Sequence, residues 1–390
     1  DWVQRACQGF SGVSALPRFV GGSMSSFRRL GVLFIVPILL WANIDWSPPP
    51  QGPSLPEDIT ATTPSTTTSA NIIELVNHLE PVANDISIQG DYAYVGGETG
   101  LSVLDISNPI SPTLVGTTAL FSGTMQIDGV WHIDVMNDYA YVTVGRGGLR
   151  IIDISEPTAP VEIGSYNPGF VDLVEVANTY TYITDGSDVE IIDTSTPTNP
   201  DNVAVIDYSY EHMYFTDIEV TGDYLFVSDA SGKGGGTRVL DVSDPTDPFE
   251  VSYIGSFEYH HNVAAVGEHI YISLGEAYFI TPRIGGLQVM DISSPTNPIE
   301  IGSYKRRWPA YNMVVDDYVY LLGDYGLRLI DISDPAQPVE VSFYNKQWEK
   351  TQWISSARDC DLAVANDYIY VAARDEGLFV FRHATKEPSI

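Results

Sequence analysis

The chain has 390 residues, 44% of them hydrophobic, with 51 Asp+Glu against 19 Lys+Arg and a net charge of −32. That charge repels phosphate and excludes nucleic acid as a partner; it fits solubility in a salty setting, or carboxylates that hold divalent cations. The length suits two or three average domains or one large all-β domain.

Residues 1–23 precede the first methionine of the sequence and are expected to be an upstream extension. From Met24 the chain reads "MSSFRRLGVLFIVPILLWA", with Arg28 and Arg29 ahead of an apolar run from Leu30 to Ala42. A positive n-region and a short apolar core match a secretory signal over 24–42, with an uncleaved membrane anchor as the alternative. Residues 43–70, rich in Pro, Thr and Ser, carry too little apolar surface to offset chain entropy and read as a disordered linker. The two cysteines, Cys7 and Cys360, form no metal or haem pattern. Cys360 reads as a buried small apolar residue.

From about residue 71 the sequence becomes periodic. "LRIIDISEPTAPVEIGSY" at 149 returns as "LQVMDISSPTNPIEIGSY" at 287. The aspartate ending the apolar run recurs at Asp105, Asp153, Asp193, Asp241, Asp291 and Asp331, and a second phrase of the type DYxYV lies upstream of each. Each unit parses into four strands, as in "IDVMN", "YAYVTV", "LRIIDI" and "VEIGSY" of the second unit. Units of 40 to 51 residues with four strands each predict a seven-bladed β-propeller over 71–383, all-β, with a tail at 384–390. The repeated aspartates are expected to be turn locks that accept backbone N–H groups, not catalytic acids. The phrases L-S-V-L-D at 101, L-R-I-I-D at 149, V-E-I-I-D at 189, L-Q-V-M-D at 287 and L-R-L-I-D at 327 resemble the LVIVD repeat family. That resemblance implies a secreted or cell-surface propeller and no common reaction. Unit seven departs from it, with Arg382 where the aspartate belongs.

Unit seven also lacks a fourth strand, whereas "NIIELVNHLE" at 71–80 reads like an orphan one. Pairing of residues 72–77 with Leu378–Phe381 is therefore expected to close the ring and remove an open edge.

Length variation gathers in the loops after the second and fourth strands of each unit, which share one face of a propeller. Ten of the fifteen Lys+Arg beyond residue 43 fall there, among aromatic residues. The expected ligand face comprises Tyr210, His212, Tyr259, His260, His261, Arg283, Arg306, Arg307, Trp308, Tyr311, Trp348, Trp353, Arg358 and Arg374. Aromatic rings stack on sugars or side chains, and Arg grips carboxylates bidentately; the alternative is loops that tuck their rings into one another.

Asp85, His132, Leu173, Asp217, Asn262, Asn312 and Asp361 stand just before the first buried position of each innermost strand. They are expected to ring the channel mouth. Asp85, His132, Asp217, Asn262, Asn312 and Asp361 could hold Ca²⁺ or another divalent cation; the alternative is a hydrated ring bonded to neighbouring backbone. No Ser-His-Asp order, HExxH or P-loop occurs, so no catalytic residue is assigned. The expected function is a monomeric, non-catalytic scaffold, secreted or tethered by its N-terminus, that binds a protein or carbohydrate at the cell exterior without a cofactor. A metal-assisted hydrolase or lyase and a structural adhesion protein are the alternatives.

Overall fold

The computed structural model describes residues 70–80, 82–120, 129–185, 187–208, 214–231, 235–256, 258–275, 285–306, 310–315, 318–323, 326–345 and 360–386. Twenty-eight strands form seven four-stranded antiparallel sheets, and among the described residues there is no helix. Blade 1 spans 85–119, blade 2 132–166, blade 3 174–207, blade 4 215–255, blade 5 259–306 and blade 6 310–345. In each, strands a to d follow in chain order from the channel outward. Strand a of every blade touches strand a of the next, and that of blade 7 touches that of blade 1, so the sheets form a closed circle.

Blade 7 takes strands a to c from Asp361–Ala365, Tyr368–Ala372 and Leu378–Lys386, and its strand d from Ala70–Leu79 at the other end of the chain. The expected clasp is present and longer than its sequence suggested. Leu79 pairs with Leu378, Leu75 with Phe381 and Ala70 with Lys386, with a bulge at Val76. The strand thus runs past residue 383 into the expected tail. Arg382 replaces the repeat's aspartate because the chain does not turn there; it continues straight, and its guanidinium meets Glu74 at 2.6 Å.

Elsewhere the aspartates do turn the chain. The backbone N–H of Ser107, Ser155, Ser195, Ser243, Ser293 and Ser333 donates to Asp105, Asp153, Asp193, Asp241, Asp291 and Asp331 at 2.8–3.0 Å. These exposed Asx turns explain why the motif repeats. The serine hydroxyl, aided by its N–H, holds the carboxyls of Asp105, Asp153, Asp193 and Asp241 below their usual range.

Strand alternation has an outcome that differs from an inside–outside pattern. In strand b of blade 2, Ala140 and Val142 pack toward blade 1 with Val103 and Leu101, while Tyr141 packs toward blade 3 with Val174 and Ile183. All four of Ala140 to Thr143 are buried. Period two here assigns side chains to the two neighbouring blades, and the core is seven wedges, not one centre. Cys360 lies buried in the wedge between blades 6 and 7, as a small apolar residue would.

The "GSY" of the repeat is shaped by the same contact. A Cβ on Gly164 would sit 1.9 Å from the Pro197 carbonyl oxygen of the next blade. Gly164→Ala must push two backbones apart, so it is expected to cost about 1–3 kcal/mol in denaturant unfolding. An unchanged unfolding midpoint would show that this seam is slack.

Candidate functional site: the channel mouth

Strand a is an edge. One side pairs with strand b, and the other side leaves backbone N–H groups facing the channel, where they need acceptors. Carboxylates of the preceding blade supply them. Asp361 accepts from the Ile86 N–H at 3.3 Å, Asp85 from the Ile133 N–H, and Asp217 from the Val263 N–H at 2.8 Å. Two residues deeper, Asp134 accepts from Val176 at 2.8 Å, Glu219 from Ala265 at 3.3 Å, and Glu175 from Val220. His132 instead places Nδ1 3.2 Å from the Val174 carbonyl, to which it donates. Side chains in two tiers thus stitch the inner strands from blade 7 through blades 1, 2, 3 and 4 to blade 5.

Burial dominates the chemistry of these acids. Asp85 is pushed up to about 6 by desolvation, against the lowering effect of its hydrogen bonds. Asp217 is pushed up to about 8 and Glu219 to about 7, again chiefly by burial and in spite of the N–H bonds they accept. Asp361 is raised well above the carboxylate range by burial and by adjacent Asp85, with which it shares a hydrogen bond. Asp134 and Glu175 rise for the same first reason, with Asp134 adding its charge to Glu175. Near neutral pH several of these groups are neutral carboxyls, which both donate and accept.

Above the upper tier opens a cavity of about 180 Å³. Side chains from six blades line it: the carboxyls of Asp85, Asp217 and Asp361 below, and Trp131, Tyr214 and Phe215 around them. Trp131 is 39% exposed and meets Phe170 edge-on at 5.3 Å; Tyr214 is 55% exposed. His132, Asn262 and Arg374 complete the wall. Arg374 is held there by paired backbone bonds with Ala83, 3.2 and 2.6 Å, which join a loop of blade 7 to blade 1.

The structure brings Asp85, His132, Asp217, Asn262 and Asp361 to this one mouth, together with Leu173. Asn312 and Tyr311 lie in the strand Ala310–Val315, but their side chains fall outside the described residues. The carboxyls of Asp85, Asp217 and Asp361 accept from neighbouring backbone N–H groups, and among the described residues no three His, Cys, Asp or Glu side chains converge.

The expected ligand face fares unevenly. Tyr259 and His260 are buried, at 5% and 0% exposure, and offer no surface. His260 is a core residue, with Nδ1 2.8 Å from Thr237 Oγ1 and Nε2 3.0 Å from Ser256 Oγ. His261 is buried too but reaches the cavity wall. Arg306 turns aside toward blade 6, its Nε donating to Tyr304 at 2.8 Å beside Glu340. Tyr210, His212, Arg283, Arg307, Trp308, Trp348, Trp353 and Arg358 lie outside the described residues. Sequence reasoning passed over Trp131, Asp134, Glu175 and Glu219. Extending the ring's own period of two by one step along strand a would have found the three acids, and Trp131 directly precedes ring position His132.

The LVIVD repeat matches the chain seven times, at residues 82–119, 129–168, 168–207, 214–254, 259–306, 313–346 and 358–381. Among solved structures, the chain is similar to the β-propeller domain of Cps50 (Swd1) from Myceliophteria thermophila, at 10% identity over 80% of this chain and 100% of that one, with a TM-score of 0.61. It is also similar to the computationally designed Ika8 protein, at 10% identity over 80% and 99% of the two chains and a TM-score of 0.54. The N-terminal domain of Nup159 matches at 13% identity over 82% and 97%, with a TM-score of 0.52. Likeness at such identity extends to the fold alone. No curated protein matches the sequence.

Proposed function

Because the chain belongs to the LVIVD repeat family, we propose that it is a non-catalytic binding scaffold which seats its ligand in the channel mouth. The ligand class is a carbohydrate, and one sugar ring is the unit that enters. One observation carries this: a cavity to which six blades contribute combines the exposed rings of Trp131 and Tyr214 with the carboxyls of Asp85, Asp217 and Asp361. Aromatic faces suit the apolar faces of a sugar, and carboxyls that donate and accept suit its hydroxyls. The carboxyls of Asp361, Asp85 and Asp217 each accept a backbone N–H, which supports a holding role for them rather than a reacting one. The sequence of residues 24–70 supports presentation at the cell exterior, either after cleavage of a signal or on a linker from a membrane anchor.

A glycan array probed with the full chain tests the proposal. Binding to at least one glycan is expected, at least tenfold weaker in Trp131→Ala, with no change on adding calcium or EDTA. No hit on the array, or a hit that Trp131→Ala leaves intact, removes the carbohydrate reading. Binding or turnover that needs calcium would move the protein toward the metal-assisted class.

A further inference from the structure

Wedges between blades are filled by a recurring polar device. A long polar side chain on strand c meets a polar partner on strand d: Arg150 with Glu162 at 2.8 Å, Arg238 with Glu250 at 2.7 Å, Gln288 with Glu300 at 2.8 Å, and Arg328 with Glu340 at 2.8 Å. In blade 3 Glu190 and Asn202 play the two parts. The preceding blade adds a tyrosine to several of them. Tyr166 donates to Glu190 at 2.7 Å, Tyr208 to Glu250 at 2.9 Å, and Tyr304 to Glu340.

The seam from blade 7 to blade 1 breaks this rule at all three positions together. By strand register, Ser102 stands where the others have Arg150 or its counterparts, and Leu114 where they have Glu162. Leu79 stands opposite Leu378 as Tyr166 stands opposite Leu149. The result is a pocket of about 290 Å³ at this seam, walled by Leu79, Val95, Leu104, Leu114 and Leu378, with the Ser102 side chain at one point. It shares no residue with the channel mouth. Apolar cavities of ~150 Å³ stay dry and take up small hydrocarbons; this one is larger. Leu114 is 60% exposed, so the pocket opens to the outside.

We propose that this seam binds one aliphatic chain of the acyl class, which lies where an arginine stem lies in blades 2, 4 and 6. The walls select hydrocarbon, since there is no charged group and no aromatic ring among them. A peptide segment would bring backbone N–H and C=O groups to a rim whose only polar side chain is Ser102. A hydrocarbon brings none. The same wedge holds the clasp strand against blade 1, so occupancy favours the closed ring by mass action.

The probe is n-decanol, titrated into the full chain with melting temperature as the readout. A saturable rise is expected for the wild type. Ser102→Arg combined with Leu114→Glu installs the pair of blades 2, 4 and 6, and is expected to abolish the rise while the circular dichroism spectrum is kept. Ser102→Leu, which only narrows an apolar pocket, is expected to weaken the response at least fivefold and serves if the double variant does not fold. The proposal fails if the wild type shows no saturable rise, or if the variant that folds responds as the wild type does. It also fails if N-acetyl-leucinamide displaces decanol at similar concentration, since that outcome assigns the pocket to a partner's side chain.

Discussion

A chain lacking residues 71–78 is expected to melt roughly 12 °C or more below the full chain and to aggregate above its transition. Those residues are most of strand d of blade 7, and they work on two wedges at once. Ile73 is buried against Phe379 and Phe381 between blades 6 and 7, while Val76 and Leu79 pack between blades 7 and 1. Leu79 itself survives the deletion but loses the strand that delivers it. At about 2 kcal/mol for each of three apolar side chains, some 6 kcal/mol is lost, against a total stability on the order of 5–15 kcal/mol. For a large domain, about 2 °C accompanies each kcal/mol. The deletion also bares the edge of Leu378–Lys386, whose backbone groups would pair with another chain. A synthetic peptide of residues 70–79 is expected to restore part of the melting temperature, because it can add back as a strand. Equal melting of truncated and full chains, with both remaining monodisperse, would show that the ring closes without its clasp.

The ring and its closure were legible because both are written by period. Strand length, the Asp turn and the proline connection recur with spacings that no other fold class explains, and the one unit without a strand d was matched by the one orphan strand. The ring of Asp85, Asp217 and Asp361 was legible for the same reason: position within a repeat fixes position around the axis. What those carboxyls do was not legible, since their partners are backbone N–H groups 46 to 275 residues away in sequence. Nor could composition separate His260, locked between two hydroxyls, from His261 one residue on at the cavity wall. Adjacent residues on a strand point to opposite sides, and a bulge between His260 and Asn262 shifts which side is which. The seam pocket was hidden in a subtler way. Ser102, Leu79 and Leu114 are unremarkable singly, and only strand register shows that they replace three members of one device.

The channel acids make the fold lose stability as pH rises from 6.5 to 8. An acid whose folded pKa lies above its unfolded value binds a proton on folding, so its contribution is full below the unfolded pKa and is lost as pH climbs through the folded one. Asp217, at about 8 when folded and 3.8 otherwise, spans the whole window. Over 1.5 pH units it alone accounts for about 2 kcal/mol. Glu219, at about 7, adds a smaller share, while Asp85, at about 6, has released most of its proton before the window opens. The opposing groups act elsewhere on the scale. His260 is held down to about 3 by burial, so it costs stability only as pH falls below 6.5, and the lowered turn aspartates lose their contribution only near pH 4 and under. The clean comparison is therefore between pH 6.5 and 8. Urea midpoints are expected to show the wild type weaker at pH 8 by on the order of 3 kcal/mol. Asp217→Asn keeps an oxygen to accept the Val263 N–H but has no proton to lose, so about 2 kcal/mol of that decline should vanish. Curves for the two proteins that run parallel from pH 6.5 to 8 would mean that Asp217 is ionised throughout, and that the mouth presents fixed charge to its ligand rather than neutral carboxyls.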